Sequence, residues 1–76
     1  MKKNLKNMSM RDALKLAERL GCFVVALPRT GELAVWHREF PNRVRVPHPK
    51  RRKDAPASLL RLIRRVIRWL REHGLL

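Results

Sequence analysis

Between Ala57 and His73, Leu59, Leu62, Ile63, Val66, Ile67 and Leu70 recur at intervals of three and four, and Arg61, Arg64, Arg65, Arg68 and Arg71 fill most positions between them. That period belongs to an α-helix with one apolar stripe. Such a helix cannot cover its own stripe, and the guanidinium groups around the rest of its surface rule out a second buried face. The remainder of the 76-residue chain must therefore supply a single covering layer. A chain of this length buries one small core, so one domain is expected, with oligomerisation or a partner able to add to its stability. Asp54 is the expected N-cap, with Pro56 in the first turn, where its missing N–H is harmless, and Gly74 is expected to end the helix.

The covering layer can be read upstream. Ser9 is an N-cap residue with Asp12 three positions on, followed by Ala13, Leu16, Ala17 and Leu20 at helical spacing and by Gly21 as a stop. "CFVVALP" is apolar, β-branched and too short for a helix, hence a strand. "LAVWHR", residues 33 to 38, is a second, and "RVRVP" alternates with period two as a third. "RTGE" and "EFPN" are the expected turns. The order is α-β-β-β-α, an α+β domain in which both helices pack on one face of a three-stranded antiparallel meander. It is expected to span residues 9–76 after a flexible basic arm over residues 1–8.

Charge narrows the partners. Nineteen Lys and Arg against six Asp and Glu give a formal net charge of +13, which favours an anionic polymer over small acidic substrates. In "RVRV", Val44 and Val46 point towards the helices and Arg43 and Arg45 towards the open face of the sheet. The run Lys50, Arg51, Arg52, Lys53, next to His48, stands before the last helix, whose N-terminus carries free N–H groups and a partial positive charge. A phosphate site is expected there. No apolar run reaches the length of a membrane span. The apolar stripe is needed for the core, so no membrane partner is expected.

Little in the sequence points to catalysis. Cys22 is the only cysteine and sits among apolar neighbours, so it reads as a structural thiol in a reducing, cytoplasmic setting. There is no Ser/His/Asp set, glycine-rich phosphate loop, carboxylate pair or metal-ligand cluster, and no cofactor is implied. His37 is the one weak catalytic candidate, on the second strand. Asn42 is the only Asn of the folded part and Gln is absent, which leaves no amide pairs for base readout, so binding by shape and backbone is expected. Trp69 lies off the main stripe among Arg65 and Arg68, and an exposed Trp there would suit a protein partner or a homodimer contact.

The segments "RLGCFVV", "RTGELAVWHRE" and "RVRVPHPKRRKDAPASLLRLIRRV" resemble the HicA family of small mRNA interferase toxins over roughly residues 10 to 67. Gly31 matches the glycine of the family's first hairpin, and Val35 and Trp36 match its apolar-aromatic pair. Val44, Val46, Pro47 and His48 are similar to the end of its third strand. The resemblance implies a double-stranded-RNA-binding-domain-like fold and RNA as the ligand. Where the family carries its catalytic His, this chain reads Glu32-Leu33-Ala34, with Leu33 at the position itself, and His37 lies about 13 Å further along the strand. The expected function is therefore phosphate-mediated binding of nucleic acid, RNA favoured over DNA, without cleavage. The alternatives are a protein-interaction module with an acidic partner, such as a toxin–antitoxin partner or a phage-type inhibitor, and a residual HicA-like ribonuclease.

Overall fold

The computed structural model describes residues 8–76, arranged as α1 (Met10–Arg19), β1 (Phe23–Ala26), β2 (Leu33–His37), β3 (Phe40–Val46) and α2 (Ala57–Glu72). The order is the one the sequence predicts. Ser9 is extended, and its side-chain oxygen accepts the Asp12 N–H at 3.1 Å, capping α1. Gly21 takes φ +95° just beyond the helix, and the Cys22 N–H closes on the Ala17 carbonyl at 2.9 Å. The helix buries Met10, Ala13, Leu14 and Ala17. Leu16 and Leu20, expected on the apolar face with Ala13 and Ala17, are partly buried at its flank, and Leu14 is buried in the core.

The strands form an antiparallel sheet in the order β1-β2-β3. Phe23, Val24, Val25 and Ala26 pair with Trp36, Val35, Ala34 and Leu33, and Leu33, Ala34 and Val35 pair in turn with Val46, Arg45 and Val44. Leu33, Val35 and Val46 join the residues of both helices in one core, with Val24 and Val44 packed against it, so both helices lie on the same face of the sheet. The turn between β2 and β3 differs from the expectation around Pro41 and Asn42. The chain reverses at Arg38 and Glu39, and Phe40, Pro41 and Asn42 belong to β3, with His37 opposite Phe40 and an irregularity in register between Val35 and His37. Pro41 is tolerated because β3 is an edge strand, where a residue with no N–H need not break the ladder.

The start of α2 also differs. Pro56, extended at ψ 157°, holds the N-cap position, and no side chain caps the helix. Asp54 instead forms an antiparallel bridge with Ser9. Around it the Met10 N–H donates to the Lys53 carbonyl at 2.7 Å, and the Ala55 N–H to the Met8 carbonyl at 3.1 Å. The approach to α2 is thus stitched to the approach to α1. Met8, expected in the arm, is buried by that stitch and belongs to the core; the rest of the arm lies outside the described residues. Met10, Val35, Val46, Leu59, Ile63 and Val66 are the largest fully buried side chains and draw on both helices and two strands. Among the described residues no helix is long and apolar enough to cross a membrane.

Candidate nucleic-acid interface

The face of the sheet turned away from the helices has two cross-strand rows. In one, Phe23 stands opposite Trp36, ring centroids 5.3 Å apart, and the Arg43 guanidinium lies over the Trp36 ring at 4.6 Å. In the other, Val25, Ala34 and Arg45 stand side by side. Period two dictates this composition, since every second residue of a strand meets the same face. Arg43 and Arg45 fall where the sequence predicts. The apolar partners on β1 and β2 are less expected, because Phe23 is 49% exposed and Val25 45% exposed.

The cation run occupies a different place from the one expected. Three residues separate Lys53 from the first residue of α2, and the run instead abuts the start of α1 through the bond from Met10 to the Lys53 carbonyl. His48 organises the loop. Its carbonyl accepts the Arg51 N–H at 2.8 Å and the Arg52 N–H at 3.2 Å, and its Nδ1 accepts the Lys50 N–H at 3.1 Å. The Arg51 guanidinium reaches towards the β1–β2 turn, with Nη2 3.8 Å from where a side chain on Gly31 would begin. Leu27, Pro28, Arg29 and Thr30 of that turn, with Arg45 of β3, line a recess of about 320 Å³. Arg29 and Arg45 thus line one recess at this end of the sheet, and Arg51 reaches towards the same turn from the loop that carries Lys50, Arg52 and Lys53. The α1 N-terminus adds little to these cations, because Lys53 and Ser9 already occupy the Met10 and Asp12 N–H groups.

These cations are not spent inside the molecule. Among the described residues the only ion pair is Arg38 with Glu39, at 4.0 Å. An ion pair so exposed is worth little, and the other Lys and Arg side chains among the described residues stand without a carboxylate partner.

The catalytic candidate lies on the core side of the sheet. His37 faces the helices and is buried to 4% exposure. Its Nδ1 accepts the Glu39 N–H at 3.1 Å, and its ring centroid lies 5.7 Å from that of Trp69 and 6.0 Å from that of Phe40. Leu33, two pleats before it on β2, is also buried towards the core. Trp69, expected as an exposed anchor, is half-buried between His37 and His73, whose ring centroid is 4.4 Å away. Arg65 lies over the Phe40 ring at 4.8 Å, which leaves Arg68 as the exposed member of that set with no ring contact. The missed signal was the row Leu62, Val66, Trp69, His73, at spacings of four, three and four, which places Trp69 on the flank of the stripe. No group of His, Cys, Asp and Glu able to hold a metal occurs among the described residues. No protein-family model, curated protein or solved structure matches the chain.

Cys22 is buried, and the loss of solvent pushes its thiol up from 9.0 to about 11. The folded state thus holds this proton more tightly than the unfolded state does. Its contribution to stability is full below about pH 9 and fades as the pH rises towards 11. Denaturant unfolding at pH 8 and pH 10.5 should show the wild type losing stability relative to Cys22→Ala over that interval. Equal losses in the two proteins would mean that the thiol is not desolvated.

Proposed function

We propose that the protein binds nucleic acid, RNA in preference to DNA, through its phosphates, and does not cleave it. The observation that carries this reading is a set of cations without carboxylate partners: Arg43 and Arg45 on β3, Arg29 beside Arg45 around one recess, and Arg51 reaching towards the same turn from the loop of Lys50, Arg52 and Lys53. A polyanion gains from such a set by releasing the counterions condensed on it. The preference for RNA draws on the HicA-like order of elements and residues. The absence of cleavage draws on His37, whose burial and ring contacts keep it from a substrate 2′-hydroxyl that a general base would have to reach. The cytoplasm, where RNA meets a reduced Cys22, fits the same reading.

A labelled RNA and a DNA of the same sequence, titrated with the protein at 0.15 M salt and then weighed intact by mass spectrometry, test it. Saturable binding, tighter for RNA, with the mass unchanged is the expected result. Shortened RNA that stays intact with His37→Ala would overturn the non-catalytic part. A lack of binding to either strand would overturn the whole.

A further inference from the structure

Phosphate binding accounts for Arg43 and Arg45 but not for what lies beside them. β1 is an edge strand that reads Phe23-Val24-Val25-Ala26, with no charged residue, and two of its side chains are among the few large hydrophobics exposed in the fold. Exposed apolar side chains side by side and rimmed by polar groups mark a surface that a partner covers. Its neighbours indicate by what. Trp36 supports Phe23 from the side and carries the Arg43 guanidinium over its own ring. Ala34, between Val25 and Arg45, projects too little to interrupt the surface. None of the strand residues on this face is acidic.

The geometry points to a single-stranded RNA segment as the occupant: unpaired bases stack on Phe23 and on the Arg43 guanidinium over Trp36, while Arg45 and the loop cations hold its phosphates. An aromatic ring offers a π-face to any base, and a guanidinium plane extends the stack. Arg43 and Arg45 are two residues apart on one strand, so about 7 Å separates them, near the step of an extended nucleotide chain. Stacking needs no amide pairs, which agrees with a chain that has no Gln. Charge argues against a second copy as the occupant, because two such faces brought together would oppose their own arginines. This inference rests on the nucleic-acid reading and narrows it to unpaired strands on one face.

The test uses the full chain with three probes: an RNA of about eight nucleotides, a duplex of the same length, and an abasic oligomer with the same phosphates. The wild type is expected to bind the single strand more tightly than the other two. Phe23→Ala is expected to weaken single-strand binding about tenfold and leave its salt slope unchanged, since the phosphate contacts remain. Arg43→Ala with Arg45→Ala is expected to lower the slope. Phe23 is half exposed, so its truncation leaves the core intact, and circular dichroism checks this for each variant. If the wild type binds all three probes alike and Phe23→Ala changes nothing, the stacking proposal fails while nucleic-acid binding stands. If no probe binds, the broader reading fails with it. A dimer in sedimentation that Phe23→Ala dissolves would assign the face to self-association and overturn the proposal.

Discussion

Replacing Arg51, Arg52 and Lys53 together by Ala is expected to lower the affinity for RNA on the order of 100-fold at 0.1 M salt, and to reduce the slope of log K against log salt by about two to three units. The size follows from three phosphate contacts, each of which releases close to one counterion. The loop should keep its shape in this variant. Its hydrogen bonds run from the backbone N–H groups of Lys50, Arg51 and Arg52 to His48 and from the Met10 N–H to the Lys53 carbonyl, and none uses the side chains removed. Binding titrations at several salt concentrations, with circular dichroism as the check on folding, measure the effect. A folded triple variant with the wild-type slope would mean that the run serves solubility and that phosphates are held elsewhere.

The second large effect concerns the core. Ile63 is fully buried on α2, within a cluster that includes Met10 of α1, Val35 of β2 and Val46 of β3. Ile63→Ala is expected to destabilise the fold by about 3 kcal/mol, from lost transfer energy and the cavity left behind. A chain of this size holds only roughly 4–11 kcal/mol of stability in total, so the midpoint of denaturant unfolding should fall sharply. Arg64→Ala, one residue on and exposed, should shift it by less than about 0.5 kcal/mol. Comparable losses at the two positions would contradict the assignment of the α2 stripe to the core.

The α2 stripe, the Ser9 cap, the Gly21 stop and the alternation in "RVRV" were legible because each is a local signal backed by the tertiary fold. Where the expectations missed, a tertiary contact outweighed a local preference. Asp54 has the chemistry of an N-cap, but its backbone pairs with Ser9, and the helix begins later at Ala57. Pro41 and Asn42 suggest a turn, but the Glu39 N–H finds His37 Nδ1, the reversal tightens at Arg38, and the edge of the sheet accepts the proline. The cation run, expected just before α2, lies against the start of α1, because sequence adjacency to α2 hid the stitch between Lys53 and Met10. Trp69, expected to be exposed, is half-buried against the rings of His37 and His73 because it lies on the flank of the stripe. Exposure of Phe23 and Val25 was invisible in the sequence, since an apolar run on a strand looks the same whichever of its faces is covered.

A nucleic acid and an acidic protein surface would compete differently for the unpaired cations. Competition measures this most directly. With labelled RNA bound at 0.15 M salt, unlabelled RNA and polyglutamate are added at matched total charge. RNA is expected to displace the label at concentrations about tenfold or more below those of polyglutamate, because phosphate spacing and base stacking add to bare charge. Equal displacement by polyglutamate would contradict the nucleic-acid reading and assign these cations to an acidic protein partner.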